Sequence, residues 1–306
     1  MNAGERRPDR VGLGILLILA STLLVASQDA VIKGASGDLT LWQIYVLRSL
    51  ILIPALLAFG YVQGDGAATW RRSWGAWPMA RAGLFVLTLV AVYGAIPFIP
   101  LSTVAAGVYT APLFMAAISA LFFGEAVRWH RWLAIAVGFA GVLLIVKPGS
   151  GSFDWLTLLP VAGGLFYALM AIVTRNRCRD IPPATLAVAL ASALLITGAL
   201  ASAALWLLAP LGEGALSWFL TGTWGAVGLE QWGILMALAA LLFANGLVHP
   251  AAYQSAPTTI IATFDYCYLI FATLLGLIFF AEVPDLLSIV GMALIAAAGM
   301  AVARKV

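Results

Sequence analysis

Ten stretches of about 20 apolar residues follow one another along this chain, near 11–34, 40–62, 76–97, 101–123, 129–147, 155–175, 183–208, 230–253, 257–281 and 285–303. Each is long enough to cross about 30 Å of hydrocarbon as a helix. Only helices fit such lengths, because a backbone in lipid must satisfy its polar groups within its own segment. The sequence therefore predicts an all-α polytopic membrane protein with ten transmembrane helices. Composition agrees. Charged residues make up 9% of the 306 and hydrophobic ones 63%, whereas a water-facing surface takes about 25% charged residues.

Lys and Arg predict the orientation, since cytoplasmic loops are enriched in them. The termini and alternate loops on one side carry Arg6, Arg7, Arg10, Arg71, Arg72, Arg81, Arg128, Arg131, Arg175, Arg177, Arg179, Arg304 and Lys305. The opposite side has only Lys33 and Lys147, and Arg48 lies within a span. Both termini are thus expected on the cytoplasmic side. The loop near Ser255 is placed on the same side although it has no basic residue. This bias also accounts for the pI near 9.0 without a nucleic-acid partner. Nine of the eleven tryptophans sit at span ends, where amphipathic rings favour the interface. Trp218 and Trp224 fall in the long loop 209–229, expected along the membrane surface. The first apolar run ends in Val25-Ala26-Ser27, which resembles a signal-peptidase site; cleavage there would leave nine spans. Cys178 and Cys267 have no framework or metal spacing, so free thiols are expected, with no metal and no cofactor.

Residues 100–125, PLSTVAAGVYTAPLFMAAISALFFGE, lie without gaps on 257–282, PTTIIATFDYCYLIFATLLGLIFFAE. Pro100/Pro257, Tyr109/Tyr266, Phe114/Phe271 and Glu125/Glu282 are among the matches, and a Gly-bearing helix follows each FF-x-E ending. The chain thus divides into a short N-terminus at 1–10, a first five-span repeat at 11–147 and a second at 155–303. Five is odd, so the second repeat must insert upside down. Inverted repeats are a recurrent construction of secondary transporters, with the substrate site near the midplane between them.

Two five-helix halves, an Arg in the second helix within LRSLILIPALL, and the FFGE and FFAE endings resemble the drug/metabolite transporter superfamily, EamA family. Within it the chain looks most like the YddG-type exporters of aromatic and other amino acids. The second half departs from the pattern, with Ala281 in place of Gly before the Glu and no Arg in helix seven.

Ionisable groups inside a span are unfavourable by roughly 2.5–3.5 kcal/mol each on insertion scales and are functional candidates by default. Asp29, Arg48, His249 and Asp265 are such groups, with Lys33 at the outer rim of helix one. Asp29 and Arg48 lie at similar distances, roughly 14 Å, either side of the turn at Gly37-Asp38. They suit either a structural ion pair or a site where Arg48 holds a carboxylate and Asp29 an ammonium. His249 and Asp265 are each about 12 Å from Pro257 and suit either a packed histidine or a proton relay. Pro250 and Pro112 lack an N–H. They are expected to interrupt helix eight beside Asn245 and His249, and helix four next to Tyr109. Tyr93, Tyr109 and Tyr266 should lie near the midplane, where a phenol needs a partner; Tyr45 and Tyr167 are weaker candidates. Gly138, Gly141, Gly291 and Gly299 are expected to permit close helix packing.

These residues point to a secondary transporter working by alternating access, with small molecules and the lipid bilayer as partners. A single basic residue well inside a span, besides His249, favours a zwitterion over a phosphate ester. The expected substrates are therefore amino acids, with the aromatic preference implied by the resemblance. A multidrug or cationic-compound exporter, using Asp29 and Asp265, is the alternative. An intramembrane enzyme is remote, since no HExxH, GxSxG or paired-aspartate spacing occurs in the spans. No residue pattern fixes an oligomeric state, and a monomer is compatible with all of this. Coupling to one proton would add about 2.3 kcal/mol per 100 mV, with Asp265 or His249 as its carrier.

Overall fold

The computed structural model describes residues 10–62, 66–122, 129–147, 154–208, 218–255 and 258–303. Among the described residues the secondary structure is helical, without strands. In chain order the helices are α1 (Val11–Ala35), α2 (Leu41–Val62), α3 (Gly66–Ser73), α4 (Ala76–Ala95), α5 (Leu101–Val108), α6 (Ala111–Phe122) and α7 (Trp129–Val146). After a 3-10 turn at Trp155–Thr157 follow α8 (Leu158–Arg177), α9 (Pro183–Leu208), α10 (Trp218–Thr221), α11 (Leu229–Ser255), α12 (Thr258–Asp265), α13 (Cys267–Phe280) and α14 (Leu286–Ala303). One helix, or two in succession, lies on each of the ten apolar stretches. Among the described residues, six helices are long and apolar enough to cross a membrane, and four shorter apolar helices of 10–17 residues accompany them. Leu50, Leu200 and Ile270, well inside their helices, are more than half exposed. Such a girdle suits lipid and would be a large apolar patch in water.

Contacts sort the connections into two ends. At one end Lys33 pairs with Glu282 and donates to the Ile99 carbonyl, Lys147 pairs with Asp285, and the Gln43 side chain brackets Gly225. Lys147 and the Ser288 amide hold the Asp285 carboxyl down at about 2. At the other end the Arg10 amide donates to the Ser255 carbonyl at 2.9 Å, Arg81 Nε donates to Thr174 Oγ1, and the Arg177 guanidinium lies over the Trp77 ring. The Ser255 end of α11 and the start of α1 therefore share an end. Val62 and Trp218 are at opposite ends: α2 begins beside α10, where Trp42 Nε1 donates to the Leu220 carbonyl, and its 22 residues carry it about 33 Å away.

The segment 218–228 forms a strap at the Lys33 end. Phe219 is 1% exposed within the main core, while Trp218 and Trp224 stay exposed. Gln43 fixes the far side of the strap by donating to the Gly225 carbonyl (2.9 Å) and accepting from its amide (3.2 Å).

Two of the apolar stretches are broken, and at aligned positions: α5 ends before Tyr109 and α12 before Tyr266. Pro112 explains the first break, since it cannot donate to the Val108 carbonyl. Thr110 turns back on Gly107 through both its amide and its hydroxyl. Gly164 of α8 packs against this break so closely that a Cβ there would stand 2.6 Å from Thr110 Oγ1 and 2.8 Å from the Gly107 carbonyl. Pro250 behaves otherwise, and the expected interruption beside Asn245 and His249 does not occur: α11 runs through it to Ser255. One proline removes a single donor. Unwinding would free further backbone groups where water is scarce, so the helix continues.

Helix pairing follows a pattern. α1 packs on α11 as α8 packs on α4, α13 packs on α1 as α6 packs on α8, and α4 meets α9 as α11 meets α2. The pairs α2–α9, α5–α13 and α7–α14 join the first half of the chain to the second. In the last, Gly141 and Gly291 face each other, and a Cβ on either would come within 2.7 Å of the other's carbonyl. Close backbone approach through small residues is how helices associate when lipid offers no hydrophobic gain.

Candidate transport site

The interior polar side chains form two tiers, about 12 Å apart along α1. In the first, Asp29 is 4% exposed and accepts from the Tyr268 hydroxyl at 2.5 Å. Tyr93 of α4 receives a hydrogen bond from Gln28 Nε2 at 2.7 Å and meets Tyr45 edge-on at 6.4 Å. Arg48 is 1% exposed, with its guanidinium carbon 5.9 Å from the Tyr45 ring centroid.

The direct pairing of Asp29 with Arg48 does not form. Asp29 is held by Tyr268, while Arg48 Nε and both terminal nitrogens make no hydrogen bond to the protein. Equal distance from a turn fixes depth but not azimuth around a helix of 3.6 residues per turn. The two charges remain within electrostatic range of each other. Lys33, one turn on from Asp29, turns to Glu282 instead.

In the second tier Ser21 of α1 donates to Asn245 Oδ1 at 2.6 Å and lies 3.0 Å from His249 Nδ1. Asn245 and His249 are one turn apart on α11, so a single hydroxyl meets both. His249 is also within electrostatic range of the Asp265 carboxylate. Tyr109 donates to the Asp265 backbone carbonyl at 2.9 Å. Its ring stacks on Tyr268 (5.1 Å, 15° between planes) and meets Tyr266 edge-on at 5.2 Å. The Tyr266 hydroxyl is buried without a hydrogen bond to the protein. This stack joins the tiers, because Tyr268 is also the donor to Asp29.

All eight candidate residues therefore lie in or beside these tiers, and Ser21, Gln28 and Tyr268 join them unforeseen. A signal for two of these existed. Ser21-Thr22 and Gln28-Asp29 are polar pairs seven residues apart in an otherwise apolar run, a spacing that shares one helix face. Tyr268 had none, since Ala111 stands at its counterpart in the first half. Chemically, an arginine fork matches a carboxylate or phosphate, Asp29 and its tyrosines suit an ammonium, and the Tyr109/Tyr268 stack offers an aromatic face. Among the described residues no group of three or more His, Cys, Asp or Glu is arranged to hold a metal.

Comparison with known proteins gives the same class. Residues 12–147 match the EamA-like transporter family. A riboflavin transporter of Rhizobium johnstonii is 30% identical over 306 aligned positions, covering 97% of this chain and 93% of its own. The pseudopaline exporter CntI of Pseudomonas aeruginosa is 29% identical, covering 97% and 98%. An S-adenosylmethionine uptake transporter of Rickettsia bellii is 23% identical, covering 89% and 87%. A solved crystal structure shares the fold at a TM-score of 0.57 and 21% identity over 96% of each chain. These relatives move solutes of different chemistry, so the comparisons do not single out the YddG-type aromatic amino acid exporters. With 30% identity across nearly its whole length to such a transporter, the chain belongs to the EamA-like transporter family of the drug/metabolite transporter superfamily.

Proposed function

We propose that this protein is an exporter of amino acids, aromatic and other small neutral ones, from the bacterial cytoplasm across the inner membrane. Two inverted five-helix repeats, 11–147 and 155–303, rock about a central site, with both termini cytoplasmic. The observation that carries this reading is the polar seam between the halves. Ser21 with Asn245 and His249, Asp29 with Tyr268, and Tyr109 with Asp265 each join a residue of the first half to one of the second. A seam of hydrogen bonds in place of apolar packing is where two bundles separate and admit a polar solute. Further support comes from the main helix pairings, where α1–α11, α1–α13 and α4–α9 exchange with α8–α4, α8–α6 and α11–α2, and from the helix breaks at the aligned Tyr109 and Tyr266.

Efflux of radiolabelled phenylalanine, threonine or methionine from proteoliposomes tests the proposal. Release above that of empty vesicles is expected, and no release of any amino acid would refute it. A second reading is favoured by the stacked Tyr109 and Tyr268 rings together with the riboflavin-transporting relatives: a planar heterocycle as cargo. Riboflavin competing with phenylalanine efflux at lower concentration than any amino acid would select it.

A further inference from the structure

α2 gathers three buried polar residues within little more than one turn. Tyr45, Arg48 and Ser49 are separated by three and four residues, a spacing that makes helix neighbours, and are 0%, 1% and 1% exposed. The Tyr45 hydroxyl, the Ser49 hydroxyl and all three Arg48 nitrogens lack a hydrogen bond to the protein. Facing them is α9, so close that a Cβ on Gly198 would stand 2.9 Å from the Trp42 carbonyl and 3.0 Å from Tyr45 Cβ. The same helix carries Ser192, another buried hydroxyl without a hydrogen bond to the protein. The group is rich in donors and includes no anionic acceptor. A guanidinium has five N–H donors and does not shed its charge. The Asp29 carboxylate is occupied by Tyr268 and forms no ion pair with Arg48 within 4.0 Å. A buried charge without a partner is strongly unfavourable, and hydrogen bonds to an ionised acceptor are the strong ones.

We propose that Tyr45, Arg48 and Ser49 form a receptor for one monovalent anionic group, filled by the carboxylate of the transported solute or, in its absence, by a halide from solution. This rests on the transport reading above and narrows it. The solute must carry an acidic group, and a purely cationic compound lacks the group that this receptor takes. Tyr45 and Ser49 become ligands alongside Arg48, while Asp29 and its tyrosines are left for an ammonium.

The test is binding to the purified full-length protein in lipid nanodiscs, using L-phenylalanine, L-phenylalaninamide, and sodium chloride against sodium gluconate at constant ionic strength. Phenylalanine is expected to bind about tenfold or more tightly than its amide, since a charge-assisted bond is lost in the latter. Chloride is expected to raise the melting temperature of the solute-free protein and to compete with phenylalanine. Arg48→Gln should remove both effects. Because that variant risks misfolding, Tyr45→Phe and Ser49→Ala keep the shape and delete one donor each. Either should weaken binding of the anion by about three- to tenfold. A preference for the acid that is weakened in Tyr45→Phe, without any chloride effect, supports the receptor with the solute carboxylate as its only anion. Chloride stabilisation lost in Tyr45→Phe, with no amino acid transported, keeps the receptor and removes the amino acid reading. Equal binding of acid and amide with no chloride effect overturns the proposal even if amino acids are transported. So does chloride stabilisation unchanged in both Tyr45→Phe and Ser49→Ala, which places the anion elsewhere.

Discussion

At the strap end of the bundle, charge and apolar bulk close the structure together. Lys33 reaches both Glu282 and the Ile99 carbonyl and lies over the Phe280 ring, and Glu282 also accepts from the Leu101 amide at 2.8 Å. Phe219, on the strap, is buried in the main core. Beneath this closure Asp29, Tyr45, Arg48 and Tyr93 are at most 4% exposed. Among the described residues, the opposite end is tied by a backbone hydrogen bond from Arg10, the Arg81–Thr174 bond and the Arg177–Trp77 stack. In the tier nearer that end Ser21 and Tyr266 are buried, and Tyr109, Asn245, His249 and Asp265 are half-buried. The charged tier thus lies behind the strap end and the histidine tier toward the opposite one. The structure is closed at the strap end. How strongly this closure is favoured depends on contacts that exist at the strap end alone, because only differential interactions shift such an equilibrium.

Phe219→Ala should break the contrast most severely. Emptying a buried phenylalanine site is unfavourable by about 3–5 kcal/mol, read as a loss of thermal stability of the purified protein. A cysteine at Ile96, which is 0% exposed, should then become reactive to a membrane-impermeant thiol reagent from the strap side. An unchanged labelling rate would show that the closure lies elsewhere. Glu282→Gln comes next. It leaves Lys33 without its counter-charge at a site where the side chains are 10% and 16% exposed. Full burial would make the loss about 3–5 kcal/mol; this residual exposure to solvent lowers it to about 2 kcal/mol. Lys33→Met in the Glu282→Gln background should recover part of that, and a double-mutant cycle that is additive would dissolve the ion-pair explanation.

Much of this arrangement could be read from residues alone, and the failures have a common physical cause. The apolar stretches followed from length, and the placement of Ser255 with the N-terminus followed from alternation of the spans despite the absence of basic residues there. The break before Tyr109 is legible in Pro112, whereas the break before Tyr266 has no proline behind it, since Leu269 stands at the aligned position. Azimuth is not legible. Asp29 and Arg48 are correctly deep, yet the partner of Asp29 is Tyr268, 239 positions away, and that of Lys33 is Glu282, 249 away. Those contacts depend on how α13 is rotated against α1, which packing decides and apolar composition leaves open. Pro250 lacks an N–H, yet α11 continues through it, because lipid penalises the unwound alternative more heavily.

Ser21→Ala probes the opposite end with a smaller effect. It removes the hydroxyl that meets Asn245 and His249, and one such bond contributes about 1 kcal/mol net. Stability should fall by about that amount while labelling of Ile96→Cys from the strap side stays unchanged. If labelling rises as it does in Phe219→Ala, the ends are not independent.

Ala281→Gly carries the smallest effect and the opposite sign. Ala281 caps α13 in the left-handed region (φ 54, ψ 31), and the Glu282 amide turns back on the Gly276 carbonyl at 3.1 Å. Glycine is the usual residue there because a Cβ in this conformation is unfavourable by roughly 1–2 kcal/mol. The first half has Gly124 at the matching position of FFGE. Glycine also loses more freedom on folding, by about 0.4–1 kcal/mol, so the net gain should be about 0.5–1 kcal/mol. The cap delivers Glu282 to Lys33, so the gain falls on the strap end specifically. Ala281→Gly should therefore raise the melting temperature slightly, lower Ile96→Cys labelling and slow any transport step that requires the strap end to open. Faster labelling in a more stable protein would show that the left-handed alanine stabilises the cap and the closure separately, and would detach Glu282 from the closure of that end.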